Sequence, residues 1–131
     1  MRKRGDDVTY SDPKLIVLLF NEQINNQDLT TLTDMMTEDH VFIDSEGDVV
    51  RGKEEMTTAW KEFFTSYPDY RNIFIRLESR GNLVAIRGYS ECSYTPLQGP
   101  ALWTALIRDG KVAEWRVYDD TPQNRKKLHI E

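Results

Sequence analysis

Residues 103–120 read WTALIRDGKVAEWRVYDD, and this run decides the fold. Two apolar-rich segments meet at Asp109-Gly110, a dipeptide that tolerates the positive φ angles a tight hairpin demands. The second segment alternates. Its period places Val112, Glu114, Arg116, Tyr118 and Asp120 on one face, and Ala113, Trp115, Val117 and Asp119 on the other. One face therefore mixes charge with aromatic surface, and the other carries an indole beside an acid.

Upstream the same alternation continues through Ile73, Ile75 and Leu77, then from residue 83 to 94, with Arg80-Gly81-Asn82 as the turn between these two strands. The second half of the chain is predicted to be an antiparallel meander. The first half reads differently. Asp12-Pro13 is a helix start, with the carboxylate as cap and proline at the first position, where its missing N–H costs nothing. Leu15, Ile16, Leu19, Phe20 and Ile24 follow at helical spacing. Asn25-Asn26-Gln27 ends that helix, and Asp28 caps a shorter one carrying Leu29, Leu32, Met35 and Met36. A strand at residues 41–44 runs into the turn Ser45-Glu46-Gly47-Asp48. After Gly52 a third helix carries Met56, Ala59, Trp60, Phe63, Phe64 and Tyr67 on one side, and Tyr67-Pro68 ends it. Helices gathered first and strands last predict an α+β cone, a curved antiparallel sheet wrapped around three N-terminal helices.

With 131 residues the chain is long enough for one domain with one core. Residues 1–11 are read as a flexible tail, 12–122 as the domain and 123–131 as a C-terminal tail, in which Asn124 to Lys127 are solvated. No apolar run approaches the roughly 20 residues of a membrane helix. Arg2-Lys3-Arg4 passes into Gly5-Asp6-Asp7 with no apolar stretch, which does not resemble a secretory signal. A net charge of −5 opposes nucleic-acid binding. Cys92 is the one cysteine, compatible with a reducing cytoplasm and with no thiolate metal cluster. His40 and His129 stand apart from each other and from carboxylates at ligand spacing. His40 is expected at a strand edge or the surface and Cys92 in the core. No metal motif, phosphate loop or nucleophile signature is present, so neither a metal nor another cofactor is expected.

The element order, with VFIDSEG at 41–47 and RDGKVAEWRVYDD at 108–120, resembles the nuclear transport factor 2-like superfamily, closest in pattern to its SnoaL-like and ketosteroid-isomerase-like branches. The resemblance spans residues 12–122. It implies a cystatin-like cone enclosing an apolar pocket for a small apolar or polycyclic molecule, and a homodimer paired through the convex face of the sheet.

Asp44 is the first candidate for chemistry. It ends an apolar strand where a pocket opens, and a carboxylate there loses hydration and becomes a better proton acceptor. The isomerases have their general base at the matching place. The competing reading is a turn acid that caps local N–H groups. On the first helix, Phe20 falls where the isomerase oxyanion tyrosine belongs. Trp103 falls where its neutral acid belongs and offers one N–H donor. Limonene-epoxide hydrolase shares the appearance of Trp115-Arg116-x-Tyr118-x-Asp120, yet Val117 replaces its acid, and Arg87-Gly88-Tyr89-Ser90-Glu91 lacks its Arg-x-Asp pair. The resemblance to SnoaL-like cyclases puts Trp115 where those enzymes have a pocket histidine.

Phe42, Trp60, Phe63, Trp103 and Trp115 are expected to converge on the concave side as core or pocket wall. Gly88 and Ser90 are expected to leave room there, while Arg87, Tyr89 and Glu91 face outward. Asp119 is either a second pocket acid or a solvated strand exit. Two functions follow. One is a cofactor-independent isomerase, cyclase or hydrolase with Asp44 as base and Trp103 as donor. The other is a non-catalytic ligand-binding or dimerisation module with a structural Asp44.

Overall fold

The computed structural model describes residues 12–131, so the expected N-terminal tail lies outside the described residues. Helix α1 (Pro13–Asn26) starts as its sequence dictates: the Asp12 carboxylate accepts the Lys14 N–H at 3.0 Å, and Pro13 occupies the first turn. It ends at Gln27, whose φ of 56° closes the last turn in the left-handed region. Asp28 then caps α2 (Leu29–Asp34) through the Thr31 N–H. Met36, expected on this helix, opens β1 (Met36–Ile43) instead. A three-residue strand, β2 (Val49–Arg51), precedes α3 (Lys53–Ser66), which buries Met56, Trp60 and Phe64 along one side.

Four longer strands and a short helix complete the chain: β3 (Arg71–Arg80), β4 (Leu83–Glu91), β5 (Gly99–Arg108), β6 (Lys111–Asp119) and α4 (Pro122–Lys127). The order across the sheet is β2-β1-β6-β5-β4-β3. Asp109 and Gly110 take φ of 54° and 74°, the positive angles the hairpin reading requires. The sheet is not wholly antiparallel, because β1 lies parallel to β6, with Phe42 opposite Trp115. β1 enters the sheet beside β6 directly from α2, with no hairpin joining the two strands, so a parallel pairing is open to it.

Two bulges reset the expected alternation. In β6 Leu106 faces Glu114 while Ile107 faces Val112, leaving Ala113 unopposed. Val112 therefore joins Trp115 on the inner face, against the strict period-2 assignment. In β3 the register slips between Phe74 and Arg76. Asn72 and Phe74 point inward and Ile75 is 67% exposed, the reverse of the expected face, and the slip then turns Leu77 back toward the core. Gly88 lies opposite this bulge. A Cβ there would sit 2.1 Å from the Ile73 carbonyl oxygen, so the absent side chain admits the β3 backbone and opens no cavity.

The main core lies between the inner face and the helices, built on Phe20, Ile24, Trp103 and Trp115. Phe20 packs on Trp115 with ring centroids 4.9 Å apart. His40 is fully buried beside them, not at the surface. Its Nδ1 lies 2.7 Å from the Val112 carbonyl, which can only accept, so Nδ1 carries the proton. Nε2 then holds a buried lone pair with no partner among the described residues, and burial pushes the His40 pKa down.

The outer face carries a smaller core of Ala85, Leu102 and Ile130, with Tyr118 and Leu128 against it. The last residues are therefore not a solvated tail. Thr121 caps α4, Arg125 grips the Asp120 carboxylate at 2.5 and 2.8 Å, and Ile130 is fully buried. Two apolar side chains nine and eleven residues beyond Asp119, Leu128 and Ile130, dock this segment, and cationic neighbours mask them in the sequence. Among the described residues no helix is long and apolar enough to cross a membrane.

Candidate active site

Where α3 diverges from the sheet, the core fails to close and leaves a cavity of about 450 Å³. Its size falls within the range of small-molecule sites. Helix α3 supplies Trp60 and Phe63, β1 supplies Phe42, and the inner faces of β5 and β6 supply Trp103, Trp115 and Val117. The rings brace one another: Trp60 meets Phe63 edge-on at 5.7 Å and Phe42 at 6.3 Å, and Phe74 holds Trp103 from behind at 5.0 Å. The lip is the turn at Asp44-Ser45 on one side and the segment 96–100 on the other.

Nine of the residues singled out from sequence meet at this cavity: Asp44, Trp103, Phe42, Trp60, Phe63, Ser90, Trp115, Val117 and Asp119. Phe20 and Gly88 do not. Phe20 is fully buried behind Trp115 as core, and Gly88 touches the β3 backbone. Asp119 is exposed at the end of β6 while lining the cavity, so its two expected settings coincide at the rim. Trp60 is 6% exposed, and its indole N–H has no partner among the described residues.

Asp44 organises the turn. Its Oδ1 accepts the N–H groups of Glu46 and Asp48, each at 2.9 Å, while its own N–H donates to the Asp48 carbonyl. Gly47 takes a φ of 90° within this turn, a conformation that suits glycine. Both side-chain bonds fall on Oδ1. Oδ2 makes no hydrogen bond to the described residues, so one carboxylate oxygen holds the turn while the residue also lines the cavity.

Two residues that the sequence did not disclose, Tyr70 and Asn72, join Ser90 in the polar part of the wall. Tyr70, Asn72 and Ser90 line the cavity together. Ser90 Oγ donates to Asn72 Oδ1 at 2.7 Å and lies 3.2 Å from the Tyr70 hydroxyl. Burial pushes the Tyr70 pKa up, against hydrogen bonds to Ser90 and Asn72, so it remains a neutral phenol at physiological pH. Helix α1 clamps this corner: Asn25 exchanges two bonds with the Asn72 main chain, and Asn21 adds a third. The available signal was the inward period Tyr70, Asn72, Phe74, hidden by the apolar Ile73 and Ile75 between them. Cys92 is buried nearby, with Sγ 3.6 Å from Asp69 Oδ1.

No group of three or more His, Cys, Asp or Glu side chains is placed to hold a metal among the described residues. The site offers the carboxylates of Asp44 and Asp119, a neutral hydroxyl-amide cluster and aromatic walls.

The architecture is shared by solved structures of low sequence identity. An LEH-like epoxide hydrolase of M. tuberculosis superposes with a TM-score of 0.72 at 21% identity, over 87% of this chain and 86% of that one. TerC, co-crystallised with polyporic acid, gives 0.71 at 16% identity, over 90% and 99% of the two chains. An NTF2-like protein from Cytophaga hutchinsonii gives 0.71 at 15%, over 90% and 95%. At these identities the likeness concerns the fold. No curated protein matches the chain in sequence. The SnoaL-like domain family does, over residues 17–115, and with three quarters of its length inside that match this chain belongs to the SnoaL-like family.

Proposed function

We propose that the chain binds a small apolar or polycyclic molecule in the cavity and acts on it without a cofactor, with Asp44 as general base. The observation that carries this reading is the division of labour within one carboxylate: Oδ1 is fixed by two backbone N–H groups, Oδ2 has no partner among the described residues, and Asp44 lines an aromatic cavity. A base held this way needs no reorientation to take a proton from a carbon beside a carbonyl or from a water molecule. Trp103, in the same wall, is the candidate donor to the oxygen that gains charge. That TerC was crystallised with polyporic acid supports a ligand of this general kind. A homodimer through the outer face and a cytoplasmic setting belong to the same proposal; exposed Ile75 is an apolar side chain that such pairing would cover.

A second reading has its own observation, since two bonds to one turn are what a structural Asp44 would make. In that case the cavity binds its ligand without converting it. Asp44→Asn separates the two, because asparagine keeps the Oδ1 acceptor and the turn but cannot take a proton. With a panel of neutral polycyclic ketones and epoxides, the variant is expected to keep its thermal midpoint and ligand-induced stabilisation while turnover falls on the order of 100-fold or more. Unchanged turnover on a compound the wild type converts would remove the base and leave the binding module.

A further inference from the structure

The cavity has two chemically different regions. Asp44 and Asp119 lie at its rim, and the neutral cluster of Tyr70, Asn72 and Ser90 lies where β3 and β4 pair, with Asn72 directly opposite Ser90. Ser90 and Asn72 are 5% and 2% exposed, so this cluster is the inner region.

The proton order within the cluster follows from valence. An amide oxygen only accepts, so the 2.7 Å contact with Asn72 Oδ1 takes the single proton of Ser90. Ser90 has none left for Tyr70, and the 3.2 Å contact between them therefore runs from the Tyr70 hydroxyl to Ser90 Oγ. Counting the Asn72 amide N–H as a donor to it, the Tyr70 oxygen still keeps one lone pair. It is an acceptor whose proton already points away from the ligand, fixed by a clamp that α1 applies to the Asn72 main chain.

Charge supplies the second constraint. Among the described residues that line the cavity there is no lysine, arginine or histidine, and there are two carboxylates. An anion entering this site would lose hydration and meet no counter-charge.

We infer that Tyr70 Oη accepts a hydrogen bond from a hydroxyl of the bound molecule, and that the cavity selects neutral hydroxylated aromatic ligands over anionic ones. This rests on the cavity being a ligand site, as proposed above. Neither Asp44 nor catalysis is needed for it.

The test uses three probes of one shape on the full chain, by calorimetry or NMR titration: 2-naphthol, 2-methoxynaphthalene and 2-naphthoate. The wild type is expected to bind 2-naphthol about fivefold tighter than its methyl ether, the value of one neutral hydrogen bond, and 2-naphthoate at least about tenfold more weakly than 2-naphthol. Tyr70→Phe keeps the ring that packs edge-on against Phe63 at 4.8 Å. It should bring 2-naphthol to the level of the ether and leave the ether unchanged. Ser90→Ala removes the acceptor of the Tyr70 proton, so the phenol can then donate to the naphthol or the ether oxygen alike and the preference should shrink. A preference that survives Tyr70→Phe overturns the anchor, and 2-naphthoate binding as tightly as 2-naphthol overturns the charge selection. Absence of binding by all three overturns the ligand site itself, an outcome distinct from the other two.

Discussion

The inner and outer faces of this sheet share the same backbone bonds, yet they are finished by different means. The inner face meets three helices through large rings and leaves one opening, the 450 Å³ cavity. The outer face is closed over part of its area by a single short segment, held by Ile130, Leu128 and the Asp120–Arg125 pair, and beside it remains a shallow groove that includes Ile75, Arg87 and Tyr89. The difference teaches that the cavity is not a packing defect of a weak fold. A core that fully buries Phe20, Ile24 and Leu32 tolerates an unfilled corner between its layers, whereas the space left on the outer face is a groove open to solvent.

That contrast breaks if the two faces prove equally stabilising. Phe20→Ala removes a fully buried ring that does not line the cavity, and is expected to cost about 4 kcal/mol in denaturant unfolding. Ile130→Ala, in a cluster of a few residues, should cost about 2 kcal/mol, the low end for a buried isoleucine. Equal losses would mean that α4 and the residues after it belong to the main core.

Acid separates the faces next, through His40. Its pKa is lowered in the fold by burial, so the folded state binds fewer protons than the unfolded one once the pH is below the ordinary histidine value. The stabilisation is fully present above about pH 6.5 and is lost as pH falls through the lowered folded value, with a slope of at most about 1.4 kcal/mol per pH unit for one proton. His40→Gln should flatten that slope relative to the wild type, whatever it does to absolute stability. An identical slope in the variant would place the titration elsewhere.

What the sequence disclosed follows the same division. The inner helices were legible because capping at Asp12 and Asp28 and the spacing of Met56, Trp60 and Phe64 are local signals. The hairpin at Asp109-Gly110 was legible for the same reason. The cavity's aromatic walls followed once strand and helix were aligned. Hidden features depended on partners distant in the chain. His40 sits in a polar run, Thr37 to Asp39, and only the Val112 carbonyl, 72 residues away, explains its burial. The bulges at Ala113 and Ile75 insert one residue each and invert every face assignment on one side of them. Tyr70 and Asn72 gained meaning only from Ser90 and α1. The C-terminal residues read as solvated because charge dominates their composition, while the two apolar residues that dock them are spaced too short to show a period.

The smallest expected effect concerns the pair that fixes the outer segment. Asp120 follows the last residue of β6, and its carboxylate receives both Nε and Nη2 of Arg125, one turn into α4. Arg125 is partly open to solvent, so screening limits the pair to about 1 kcal/mol. The hydrogen bonds from Arg125 hold the Asp120 pKa below the ordinary carboxylate value, which fixes the sign: the stabilisation is present above about pH 3.9 and disappears as pH falls through the lower folded value. Asp120→Asn should therefore cost about 1 kcal/mol at neutral pH and progressively less in acid. Because α4 stays attached through Ile130 in this variant, hydrogen exchange is expected to rise at the amides of residues 124–130 and to stay unchanged in α1 and α3. Faster exchange in those inner helices would show that the two faces unfold as one unit, and would dissolve the contrast between them.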